Sequence, residues 1–275
     1  MRTVNIILLV FATILLARCK KEADKPYPDD YIIRDNAMAI VYFHTVFREA
    51  ENAWAFIDNE NYEMGDYSDP ASTPPTKYKN LTYDDETNTV TVEYHAWVSS
   101  KFLLNGNMYV TLKQDSYRVH GEIATVTLSD FSINGQMVTG ESRITYQKVE
   151  NSDNDRYNYV HPRPANIHEM GISMPVLISG TIANGRYERI AGGETLTQDD
   201  DAWTYTGRMT GSLGNNLSLK YTNEILSGED GTVHFTTECN FAEQGISKIT
   251  IPGRSDITCY YSCDGVDYDT VSHVD

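Results

Sequence analysis

Residues 87–98, Thr-Asn-Thr-Val-Thr-Val-Glu-Tyr-His-Ala-Trp-Val, decide the fold. Apolar and polar side chains alternate with a period of two, which in a strand sends them to opposite faces of a sheet. Val90, Val92, Tyr94, Ala96 and Val98 fall on one face. Thr89, Thr91, Glu93, His95 and Trp97 fall on the other. The same alternation recurs at Met108, Val110 and Leu112 and at Ala124, Val126 and Leu128. Further strands are expected near 137–147, 175–183, 186–190, 202–211, 217–222, 232–237, 246–251 and 257–261.

The connections between these segments carry hairpin chemistry. Asn105-Gly106, Asn134-Gly135, Asn184-Gly185, Asp230-Gly231 and Asp264-Gly265 all match the positive-φ demand of tight hairpin turns. No helical pattern of crossover length separates the strands, so parallel βαβ units are disfavoured. The polar stretch 148–172 reads as an excursion from the sheet. The expected fold is all-β: an antiparallel hairpin or meander sheet over 82–275, a curled sheet or a sandwich, preceded by one amphipathic α-helix. That helix is expected over 35–58, capped by Asp35 or Asn36. Its apolar stripe of Ile40, Phe43, Phe47, Ala50, Trp54 and Ile57 is expected to pack on the sheet. Residues 59–81, rich in Asn, Asp, Ser and Pro, read as a linker loop.

The amino terminus has a different chemistry. Arg2 precedes the apolar run Ile6 to Ala17, which has the length of a signal peptide and is shorter than the about 20 residues that cross a bilayer. Leu16-Ala17-Arg18-Cys19 resembles a lipobox, with Arg18 where a small residue is usual. The reading is a lipoprotein signal peptide over 1–18, lipidation of Cys19, and a charged, proline-containing tether over 19–34. It implies a membrane partner through the lipid anchor and an outer-membrane address, surface-exposed or periplasmic. Cleavage would remove Arg2 and Arg18 and no carboxylate, making a chain of net charge −17 still more acidic. That balance, with no local Lys/Arg cluster, argues against a nucleic-acid partner.

The order of the hairpins resembles a family of uncharacterised cell-envelope lipoproteins from Bacteroidetes-type bacteria. These carry a lipobox, a helical segment and Gly-punctuated hairpins ending in a cysteine-containing hairpin. The matching pieces are NGNMYVTL (105–112), GEIATVTLSDFSINGQMVTGESRITY (121–146), WTYTGRMTGSLGNNLSLKYT (203–222) and GISKITIPGRSDITCYYSCDGVDYD (245–269). The likeness covers roughly 100–275. It departs where Gly253-Arg254-Ser255-Asp256 replaces the family's Gly-Asp-Gly run. It implies an envelope address and a repetitive sheet, and brings no catalytic residue with it. Export places Cys239, Cys259 and Cys263 where disulfides form. Cys239–Cys259, in line with the family's cysteine pair, and a pairing through Cys263 both stand as expectations, each leaving one thiol over.

Catalytic signatures are missing from the sequence. There is no G-x-S-x-G, P-loop or G-x-G-x-x-G, and none of the seven histidines makes H-E-x-x-H. Asp153-Asn154-Asp155 and Asp199-Asp200-Asp201 do not continue into a calcium loop and read as turns. No metal or other cofactor is expected. Asp269-Thr270-Val271 resembles a short O-glycosylation sequence, making Thr270 a candidate acceptor. Trp97, Trp203, Tyr205, Tyr221, Tyr260 and Tyr261 could form aromatic platforms for a glycan or an envelope protein, with core packing as the simpler account. The leading expectation is a non-enzymatic envelope lipoprotein with a structural, adhesive or binding role. The alternatives are a glycan-processing enzyme with paired carboxylates and a carrier of apolar ligands.

Overall fold

A computed structural model describes residues 29–58, 67–68, 77–99, 101–113, 119–148, 156–160, 165–169, 176–190, 202–213, 219–226, 231–236, 239 and 242–271. Helix α1 runs Asp29–Asp58, about 45 Å at 1.5 Å per residue. It begins six residues before the expected start at Asp35. The carboxylates Asp29 and Asp30 suit a first helical turn. Asp35 and Asn36 are therefore interior residues, and the Asn36 amide donates to the Ile32 carbonyl one turn back, at 2.9 Å.

The sheet explains why so long a helix is stable. Its strands are β1 (Tyr67–Ser68), β2 (Tyr78–Asp84), β3 (Thr89–Ser99), β4 (Phe102–Leu112), β5 (Ile123–Ile133), β6 (Gln136–Thr139), β7 (Glu141–Gln147) and β8 (Arg156–Val160). They continue as β9 (Ala165–Glu169), β10 (Val176–Ile190), β11 (Ala202–Leu213), β12 (Leu219–Ile225), β13 (Val233–Phe235), β14 (Gln244–Thr250), β15 (Asp256–Ser262) and β16 (Gly265–Val271). All belong to one antiparallel sheet that meanders in chain order. β6 with β7, β8 with β9, and β12 with β13 serve as broken halves of single lanes. The all-β architecture with one preceding helix is thus present.

The helix does not lie on one face of this sheet, as an amphipathic stripe would imply. Between Asp35 and Trp54 no residue is exposed, and only Met38, His44, Arg48 and Asn52 are half-buried. Its side chains meet β3, β4, β8, β10, β11 and β13. The sheet curls around the helix, and the helix side chains fill its interior. The outer face carries Thr127, Arg143, Arg208, Glu224 and Lys248, all exposed. This is the reverse of a lipid-facing barrel, whose outer band is apolar.

Three irregularities bend strands β3 to β5. Ala96 (φ 47°), Gly106 (φ 94°) and Asp130 (φ 50°) all take positive φ, and the β3–β4 and β4–β5 registers slip beside them. The bulge reverses the alternation read from 87–98. Trp97 turns to pack against the core, and Val98 points out, 52% exposed. Asn105-Gly106 is therefore a bulge within β4 and not a hairpin turn. A Cβ on Gly106 would stand 2.1 Å from the Asp130 carbonyl oxygen. Asn134-Gly135, with φ of 52° and 77°, does turn a two-residue hairpin between β5 and β6. Asn184-Gly185 lies inside β10, where Gly185 makes room for the Tyr205 ring. Asp264 stands in the turn before β16, which Gly265 opens.

The stretch 148–172 also departs from expectation, since it contributes β8 and β9 to the sheet. Tyr157 and Tyr159 of β8 are fully buried. Their alternation, Arg-Tyr-Asn-Tyr-Val, has strand period, but the flanking Asn, Asp and Pro residues mask it. Likewise β2 starts at Tyr78 and β1 falls inside the expected linker.

Candidate functional site

Enclosing a helix that carries charges forces the sheet to answer them. Glu49 of α1 receives the Lys79 ammonium of β2 at 2.8 Å and the Tyr94 hydroxyl of β3 at 2.7 Å. The Ser99 hydroxyl, at the end of β3, donates to the other carboxylate oxygen. Burial pushes the Glu49 carboxyl upward, but the Lys79 charge and the three hydrogen bonds outweigh it and hold the pKa below its ordinary value. The Tyr94 phenol is pushed well up by burial and by the carboxylate beside it. An ionised carboxylate with both oxygens engaged has no proton to give and is a weak base, which suits a cross-link better than acid–base chemistry. Two residues on, Glu51 accepts from the Tyr157 hydroxyl at 3.1 Å.

Next to these carboxylates lies an aromatic interior. Phe47 stacks on Tyr187 at 4.0 Å and meets Tyr157, Tyr159 and Trp203 edge-on. Of the six proposed platform residues, Trp203, Tyr205, Tyr221 and Tyr261 are buried and Trp97 packs against the core. Tyr260 alone among them is a large exposed ring, at 40%. Core packing accounts for most of the set.

At the edge of this aromatic interior, His44 stacks on Phe235 of β13 at 3.8 Å, and the Arg48 guanidinium lies over the Trp203 ring at 5.2 Å. Burial first, and the Arg48 charge second, hold the imidazole pKa well below its ordinary 6.5, so His44 is neutral. Glu49, Lys79, His44 and Arg48 were not singled out from sequence as a site. For the three on α1 the signal was ionisable side chains within an apolar helix, which are read as a solvent side when the helix is thought to pack on one face; Lys79 stands on β2.

On the outer face, Tyr78 stacks on His95 at 5.2 Å, and its hydroxyl donates to Glu93 at 2.8 Å. Val98 and Leu103 oppose each other nearby, both exposed.

The remaining sequence candidates fall as follows. Cys19 lies outside the described residues, as do 153–155, 199–201, His161 and His273. Cys239 bonds to Cys263 across a Cα separation of 4.7 Å, and Cys259 is a buried free thiol. The alternative Cys239–Cys259 pair is not formed, because Cys259 faces the interior from the middle of β15 whereas Cys263 sits in the turn. Burial pushes the Cys259 thiol up to about 12. Thr270 is exposed on β16, an edge strand bonded to β15. Among the described residues no three His, Cys, Asp or Glu side chains gather as metal ligands, and no helix is long and apolar enough to cross a membrane. No family model matches the chain, and comparison with curated proteins and with solved structures finds no match.

Proposed function

We propose that this protein is a lipid-anchored envelope protein, attached to the outer membrane through acylated Cys19, whose folded part acts by binding or scaffolding rather than by catalysis. The observation that carries the anchor is the sequence Ile6 to Cys19, an apolar run too short to span a bilayer that ends at a cysteine and gives way at once to Lys20-Lys21-Glu22-Ala23-Asp24. Several acyl chains on one residue hold far more firmly than a single chain. α1 begins ten residues after Cys19, so the sheet would ride on a short tether.

The packing of the interior supports a non-catalytic role. α1 occupies the space an apolar cargo would need, and Glu49 is tied to Lys79, Tyr94 and Ser99. Metabolic labelling with an acyl probe tests the anchor. The wild-type chain should take up the label and sediment with membranes, and Cys19→Ser should lose both properties. A Cys19→Ser chain that is still labelled would overturn the proposal. The binding role is tested on glycan arrays and by capture from envelope extracts, and clean negatives in both would remove it.

A further inference from the structure

The curled sheet has a seam. Among the described residues it ends at β16 on one side and at β1 and β2 on the other, and no strand pairing joins the two ends. One edge is blunted, because β1 is two residues long. β16 has seven residues and no proline, and it keeps an unbroken register with β15 from Ser262–Gly265 to Asp256–Val271. In an antiparallel pair alternate residues turn their N–H and C=O groups away from the partner, so β16 presents a row of them on its free side.

Solvent reaches both faces of this strand. Cys259 and Tyr261 of β15 are buried toward the interior, so their partners Tyr268 and Val266 share the inner face. Tyr268 is nevertheless 42% exposed, and Thr270, on the same face, is exposed as well. An inner-face side chain open to solvent beside a free edge means that no described residue fills the next lane. On the outer face stand Asp267 and Asp269, both exposed, opposite Tyr260 and Thr258. No Lys or Arg occurs from Asp256 to Val271.

These charges select the occupant. A second copy pairing β16 with β16 about Tyr268 would set Asp267 of each chain against Asp269 of the other, and like charges directly opposite destabilise a ladder. Lys or Arg at the facing positions reverses the sign. We propose that an extended, basic segment of another protein adds to β16 as a further strand. Its Lys or Arg side chains lie beside Asp267 and Asp269, and its other face covers Tyr268 and Thr270. The inference rests on the binding role proposed above and not on the anchor. A ligand from glycan arrays or envelope extracts that leaves β16 untouched would keep that role and remove this edge from it.

The probe is a blocked peptide of about eight alternating lysine and valine residues, the length of one strand. It is titrated into the full-length chain in detergent at constant ionic strength, and hydrogen exchange over 265–271 is read by mass spectrometry. Exchange in β16 should slow saturably. A peptide with glutamate for lysine should give no protection, and one N-methylated at every amide, which keeps the charge and removes the ladder donors, should bind at least about tenfold more weakly. Asp267→Asn combined with Asp269→Asn should weaken the lysine peptide about tenfold, worth about 1.4 kcal/mol. Glu224→Gln on β12 should leave binding unchanged. The peptide series needs no variant to fold. Unchanged β16 exchange at millimolar lysine peptide overturns the proposal, as does undiminished protection by the N-methylated peptide. A peptide-free dimer with β16 already protected would assign the edge to a second copy and overturn it too.

Discussion

Glu49 shows what enclosing a charge demands. Its carboxylate is 2% exposed, and three side chains from β2 and β3 converge on it. Removing one member of such a buried pair leaves the other charge uncompensated, at about 3–5 kcal/mol. Glu49→Gln should therefore destabilise strongly by denaturant unfolding, whereas the exposed Glu224→Gln should be close to neutral. The pH dependence has a definite sign. The folded pKa lies below the ordinary 4.5, so this stabilisation is fully present above that pH and is lost as pH falls through the depressed folded value. Acid unfolding curves should show the wild type losing stability below about pH 4.5 more steeply than Glu49→Gln. Equal slopes would show that the carboxylate is not held ionised. None of this was legible in sequence, because a charge on a helix signals burial only once the surroundings of that helix are known.

At the scale of elements, period-two alternation located most strands but could not register the bulges. One extra residue at Ala96 moves every later side chain of β3 to the other face, which is why Trp97 and Val98 exchange places. Asn-Gly in sequence is equally compatible with a hairpin turn, as at Asn134-Gly135, and with a strand bulge, as at Asn105-Gly106. Only the partner strand decides between them. At Gly106 that partner is the Asp130–Phe131 backbone, which occupies the space of a Cβ. Gly106→Ala must relieve this contact as well as tolerate a φ of 94°, so a loss of roughly 2–4 kcal/mol is expected. Gly135→Ala meets open space and bears the strain of positive φ alone, about 1 kcal/mol. Chemical denaturation of both variants would rank them, and an equal or reversed order would remove the close-approach explanation.

For the whole molecule, the enclosed helix makes local opening difficult, since α1 touches lanes from β2 to β16 and cannot leave without exposing the aromatic interior. This enclosure was not legible from residue pattern, because one apolar stripe is compatible with a helix lying on a sheet and with a helix inside one. Cys259 reports on the difference. It is 1% exposed, its thiol is raised by burial to about 12, and it lies in β15 between β14 and β16. The reactive species is the thiolate, so reaction in the folded state should be negligible. The Cys239–Cys263 bridge closes a separation of 24 residues and supports the same end of the sheet by roughly 3–4 kcal/mol in the chain-entropy model. In the full-length chain, with Cys19 acylated or changed to Ser, a maleimide should label Cys259 only at the rate of global unfolding. Labelling should rise along the same denaturant curve as the loss of tryptophan burial. Fast labelling in native buffer, or a labelling curve well ahead of that transition, would show that β14 to β16 open independently and that the sheet does not enclose the helix as one cooperative unit.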